Sequence, residues 1–146
     1  QQGMGTTVSV LAMCGEYGIT AEVGDSRIFL FRGRQAESLT EDLTLVAWQL
    51  KQGIITEAEA ERSPHRNVIT RAVGSREYVQ VDTGFFEVQP SDAYLLCSDG
   101  LHGYLRQEEI PEVIEMGPRG AAERFIAMAN SRGGRDNITA VVVNVR

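Results

Sequence analysis

Three words in this chain share one pattern: VGDSR (Val23–Arg27), LLCSDGL (Leu95–Leu101) and GGRDNIT (Gly133–Thr139). In each, a strand-like apolar run meets an aspartate beside glycine or a small polar residue. Any fold of this sequence therefore has to carry Asp25, Asp99 and Asp136 at strand termini. Taken singly, each aspartate has an ordinary local explanation, because Asp-Gly pairs favour turns and Asp side chains bond their own backbone. Asp25 suits a hairpin, Asp136 punctuates the approach to a last strand, and Asp99 reads as a turn residue first and as a metal ligand second. Taken together they raise a different problem. If the sheets bring these ends to one place, three like charges converge, which is costly unless a cation neutralises them. Hard divalent ions prefer such oxygen ligands.

The strands come in adjacent groups. Thr6–Met13 alternates loosely and is rich in Val and Thr, and ITAEVGDSRIFLFRG holds two apolar runs around Gly24-Asp25-Ser26 that read as antiparallel strands joined by a tight turn. YVQVDTGFFEV (78–88), AYLLCSD (93–99) and NITAVVVNV (137–145) follow, the last with valine at enough positions to suggest a strand covered on both faces. Helical spacing with a glycine stop marks LTLVAWQLKQG (43–53), a Thr-x-x-Glu capping box opens TEAEAER (56–62), and GAAERFIAMANSRGG (120–134) ends in glycines. A short helix from Gln107 to about Met116 precedes Gly117-Pro118. Helices inserted late among grouped strands predict an α+β class with antiparallel sheets, not a regular βαβ series.

At 146 residues the chain suits a single domain, 1–146. A net charge of −6 argues against nucleic acid as a partner, since backbone binding relies on Lys and Arg displacing counterions. No apolar run is long enough to cross a bilayer, so no membrane partner is expected, and the absence of a basic-then-hydrophobic leader gives a cytoplasmic location as the simplest expectation. Cys14 and Cys97 lie far apart with no CxxC pairing and read as small buried core residues.

MGTT, VGDSR, RNVITRAVG, LLCSDGL and GGRDNITAVVV occur in the order and at about the spacings of the bacterial metal-dependent Ser/Thr protein phosphatases of the PPM (type 2C) family. The resemblance spans Gly3 to Val145. It implies an antiparallel β-sandwich flanked by helices (α-β-β-α), with a metal centre in a cleft at one end, Mn²⁺ or Mg²⁺ as cofactor and phosphorylated proteins as substrates. In such enzymes a hydroxide held between two ions attacks phosphorus, and paired cations favour this by lowering the pKa of bound water. By the same resemblance Asp99 and Asp136 match ligands of one core metal, and Asp25 with Asp99 matches the site of a third, weaker ion. Asn137, Gly100 and Ser98 flank these ligands, and Asn137 matches a residue that orients them. Residues 40–74 resemble the family's flap, which affects substrate choice. Arg66, Arg71, His65 and Ser63 are its candidate substrate residues, although exposed arginines and loop histidines more often serve ordinary surface roles.

The sequence departs from the family pattern in places. Leu43 follows Asp42 where the family often has histidine, and Ser63 stands where a flap histidine commonly precedes the proline, leaving His65 as the nearest imidazole. His102, after SDGL, is a second imidazole near the expected cleft. The family's Arg-x-x-Asn-Glu-Asp and Asp-Gly-x-Gly-Gly words, with the aspartate that bridges its core metals, do not occur, nor do the first strands and helices that accompany them. The resemblance therefore implies a phosphatase domain lacking its N-terminal part, impaired by itself and prone to self-associate through an exposed core. The alternative is a non-catalytic phosphatase-like module that binds a protein partner or a cation.

Overall fold

The computed structural model describes residues 4–65, 68–74 and 76–146. Among these residues seven strands form two antiparallel sheets: β1 (Val8–Cys14), β2 (Tyr17–Val23) and β5 (Asp82–Glu87) in the order β1-β2-β5, and β3 (Arg27–Arg32), β4 (Gln35–Ser38), β6 (Ala93–Cys97) and β7 (Ala140–Asn144) in the order β4-β3-β6-β7. The sheets face one another, with Phe86 of β5 against Tyr94 of β6 at a ring separation of 5.6 Å. Helices α1 (Leu45–Lys51) and α2 (Glu57–Arg62) lie in the 40–74 segment; α3 (Asp99–His102), a 3₁₀ turn (Gln107–Glu109), α4 (Ile110–Ile114) and α5 (Gly117–Ser131) follow β6. The capping box expected at the start of α2 is present, with Thr56 and Glu59 bonding each other's backbone N–H groups.

Period-two alternation explains how β3, β6 and β7 divide their side chains. Phe29, Ala93, Leu95 and Cys97 bury against Leu101 of α3 and Ile110, Val113, Ile114, Phe125 and Met128 of α4 and α5, which makes the main core a helix-on-sheet layer. Ile28, Leu30 and Tyr94 point the other way and are buried. Fully burying side chains of this size contributes about 1.5–3 kcal/mol each.

Three expectations are corrected. The first concerns Gly24-Asp25-Ser26, which does not close a hairpin. Both edges of β2 are taken by β1 and β5 and both edges of β3 by β4 and β6, so the two strands lie in opposite sheets and the segment crosses between them. Gly24 makes this possible at φ 120°, where a Cβ would stand 2.4 Å from Thr7 Cγ2. Second, β7 is not covered on both faces: it is an edge strand, and Val141 is 49% exposed. Third, Cys14 is exposed, because it ends β1, the edge of a sheet whose outer face is covered by no helix among the described residues; Cys97 is buried as expected. Burial pushes the Cys97 thiol up to about 12, which keeps it an unreactive core residue.

That uncovered outer face is apolar. Val8, Val10, Tyr17, Ile19 and Phe85 share it by register, and all are exposed, with Tyr17 and Phe85 stacked at 5.2 Å.

Candidate metal centre

The sheet crossing places Asp25 at one end of the sandwich, and β6 delivers Asp99 to the same end. Asp99 opens α3 directly after Ser98, so the aspartate of the SDG word sits in the first turn of a helix and not in a β-turn. Its Oδ1 accepts the Gly100 N–H at 2.8 Å. Asp136 is held in the same manner, its Oδ1 accepting the Asn137 N–H at 2.7 Å. Each carboxylate thus has one oxygen fixed by its own backbone, and the second oxygen makes no hydrogen bond among the described residues.

Gly100 brings the two loops into contact. A Cβ on it would stand 2.3 Å from the Asn137 carbonyl oxygen and 3.3 Å from Asp136 Cβ, so the Asp136 loop lies directly on the start of α3. Ser98 fastens the same junction. Its hydroxyl donates to the Asn137 carbonyl at 3.2 Å and accepts the Thr139 N–H at 3.0 Å, and its own N–H donates to the Thr139 carbonyl. Asn137 therefore acts on Asp136 through its backbone.

Asp25, Asp99 and Asp136 line one cleft of about 1250 Å³ together with Gly100, His102 and Arg135. Burial first, and then the Asp99 charge, raise the Asp25 pKa, and the Arg27 charge offsets part of this, so Asp25 and Asp99 lie close enough to repel each other. Among the described residues no three His, Cys, Asp or Glu side chains form a group that could hold a metal by themselves. The donor set fits an ion that keeps part of its hydration, as Mg²⁺ does when one or two carboxylates bind it.

Two contacts at the cleft were not legible in the sequence. His102 Nε2 lies 2.8 Å from the Asp25 carbonyl oxygen. A carbonyl only accepts, so Nε2 carries the proton and donates. Burial, then the Arg27 charge, lower the His102 pKa and favour that neutral ring. Arg27, the arginine of GDSR, grips Asp42 through Nε and Nη2, both at 2.7 Å. Their separation of 15 residues falls on no strand or helix period, so no pattern predicts it. Asp42→Ala should leave the Arg27 guanidinium partly buried and unpaired, lowering stability by about 1–2 kcal/mol in urea titrations; Asp42→Asn should recover part of this.

The flap residues divide. Arg71 lines the cleft and pairs with Asp82 at 2.5 Å. Ser63 caps the C-terminus of α2 and accepts the His65 N–H at 3.2 Å; neither residue lines the cleft, and His65 is exposed. Arg66 lies outside the described residues.

No family model matches the sequence. Among related proteins, the protein phosphatase PhpP of Streptococcus pneumoniae is 39% identical over 146 residues, covering 99% of this chain and 59% of that protein. The serine/threonine phosphatase stp of Listeria monocytogenes is 40% identical over 144 residues, covering 97% and 57% respectively. The Mycobacterium tuberculosis serine/threonine phosphatase PstP/Ppp superposes with a TM-score of 0.92 at 35% identity, over 99% of this chain and 62% of that one. The chain belongs to the PPM phosphatase family. It spans about three-fifths of the length of these relatives. A structure of the PstP catalytic domain, TM-score 0.85 at 34% identity over 99% of this chain and 61% of that one, is described as a complex with 2 manganese ions. No helix among the described residues is long and apolar enough to cross a membrane.

Proposed function

We propose that this chain carries part of the metal centre of a protein serine/threonine phosphatase that hydrolyses phosphoserine and phosphothreonine in proteins with Mn²⁺ or Mg²⁺. The observation that carries the reading is the cleft shared by Asp25, Asp99 and Asp136, the first two delivered by strand ends and Asp136 by the loop before β7. In it, Asp99 and Asp136 would hold one ion, and Asp25 with Asp99 a further, weaker one. The ions would supply activation of water and neutralisation of charge on the phosphoryl oxygens.

The chain's own residues prepare that chemistry. Backbone N–H groups fix one oxygen of Asp99 and of Asp136, so each carboxylate presents the other without searching rotamers. Ser98 and the Gly100 contact hold the two loops in register. His102 ties the Asp25 backbone to α3, and Arg27 with Asp42 holds the first residue of β3 against the 40–74 segment.

The test is phosphate release from a phosphothreonine peptide with millimolar Mn²⁺, with Mn²⁺ affinity measured in parallel, for the chain and for Asp99→Asn. The expected result is Mn²⁺ binding that Asp99→Asn weakens by about tenfold or more, with any phosphate release lost in the same variant. Mn²⁺ binding and turnover unchanged by the substitution would overturn the reading.

A further inference from the structure

Beside the metal cleft lies a second cavity of about 410 Å³, lined by Thr20, Glu22, Thr40, Glu41, Asp82 and Gly84 among others. Thr40, Glu41 and Asp82 line the metal cleft as well, so the two spaces adjoin. Gly84 keeps the second one open, since a Cβ there would stand 2.6 Å from Thr20 Oγ1.

The charges of this cavity do not balance. Asp82 is paired with Arg71, and Glu41 with Lys51. Glu22 has no such partner among the described residues: it is 2% exposed, and neither carboxylate oxygen makes a hydrogen bond with any of them. Its cross-strand neighbours on the same face are Ser9, whose hydroxyl lies near the carboxylate without reaching hydrogen-bond geometry, and Asp82, another acid. A buried carboxylate left unpaired costs several kcal/mol, and directly opposed like charges in a sheet add to that. Such an arrangement is relieved by one cationic group entering from the cleft side.

We propose that this cavity is a subsite for a basic side chain, arginine or lysine, of the phosphoprotein substrate, with Glu22 at its floor and Asp82 at its mouth. The inference rests on the phosphatase reading, which supplies the phosphoryl group in the adjoining cleft. A side chain is favoured over a metal ion because Asp82 and Glu41 already pair with Arg71 and Lys51, which leaves Glu22 as the unpaired carboxylate of the cavity among the described residues, a single charge that one guanidinium or ammonium balances. A guanidinium also suits the mixed donor set, since it can meet a carboxylate with two parallel N–H groups and offer the rest to Thr20 and Thr40. The chosen phosphopeptides are then those with a positive charge close to the phosphorylated residue.

The test uses phosphothreonine peptides of one sequence in which arginine, or its neutral isostere citrulline, is walked through the positions flanking the phosphothreonine. Affinity for the chain is measured at pH 8, with unphosphorylated peptides as a second comparison. At one position arginine should bind about tenfold tighter than citrulline, and Glu22→Gln should reduce that preference to less than about twofold while leaving the preference for phosphate intact. An arginine preference unaffected by Glu22→Gln, or none at any position, would overturn the subsite; phosphate preference in the same data would leave the phosphatase reading standing. Loss of the phosphate preference with a Glu22-dependent arginine preference would support the subsite and sink the phosphatase reading. If Glu22→Gln removes one equivalent of bound Mn²⁺ in the absence of peptide, the cavity holds a metal and the proposal fails.

Discussion

Gly100→Ala should destabilise the chain by about 3 kcal/mol and move the Asp136 loop, an effect out of proportion to one methyl group. Gly100 has ordinary helical neighbours and no need of positive φ, so its backbone would accept alanine without strain. The conflict is with the opposite loop. The added Cβ would stand 2.3 Å from the Asn137 carbonyl oxygen and 3.0 Å from its carbonyl carbon, and both are backbone atoms that cannot rotate away. That carbonyl accepts from Ser98, and the Ser98 hydroxyl in turn receives the Thr139 N–H that leads into β7. Pushing the loop out therefore breaks the fastening that holds Asp136 beside Asp99. Urea titration should show the loss of stability, and amide shifts should change most from Asp136 to Thr139. An alanine variant as stable as the parent, with those amides unmoved, would mean that the contact is looser than described. Gly103→Ala is the control: its Cβ would meet only the Asp99 carbonyl, at 3.0 Å, away from the Asp136 loop.

Much of this architecture could be read from the chain, for reasons that also explain what could not. β6 and β7 are continuous apolar runs and α5 has a long amphipathic period, so their positions follow from pattern. The sheet partners of β2 and β3 were beyond reach because a Gly-Asp pair serves a hairpin and a sheet crossing equally well. Only the competition for strand edges decides between them, and that is a property of the whole fold. The three aspartates were legible because each carries its own flanking word. The Arg27–Asp42 pair and the His102 link to the Asp25 carbonyl were not, since each joins segments with no periodic relation. Glu22 was not legible at all: alternation assigns the apolar Tyr17, Ile19, Ala21 and Val23 to the core and Gly18, Thr20 and Glu22 to solvent, whereas the structure exposes Tyr17 and Ile19 and turns the Glu22 carboxylate inward.

That inward carboxylate should make the chain less stable as the pH rises from about 5 to 8. Burial is the main cause of a Glu22 pKa raised from 4.5 to about 7; the charges of Asp25 and Asp42 add to it, and the neighbouring Ser9 hydroxyl offsets part. The sign follows from proton binding. Between those two values the unfolded chain has released the Glu22 proton while the folded chain still holds it, so deprotonation pulls towards the unfolded state. Below 4.5 both states are protonated and no penalty exists; above about 7 the penalty is complete, at roughly 3 kcal/mol for a shift of this size. Glu22→Gln keeps the shape and removes the titration. Its advantage over the parent, taken from urea midpoints, should be small near pH 4.5 and grow to most of that figure by pH 8. His102 titrates in the same interval, but its lowered pKa makes the folded state gain stability with rising pH, and it is common to both proteins, so the difference between them isolates Glu22. A difference that stays constant from pH 5 to 8 would show that Glu22 ionises in the fold as it does in water, with a partner or solvent access that its buried position denies it. A difference that grows as expected would leave a deprotonated, unpaired carboxylate beneath the cleft at pH 8, the state in which a cationic side chain has most to gain by entering.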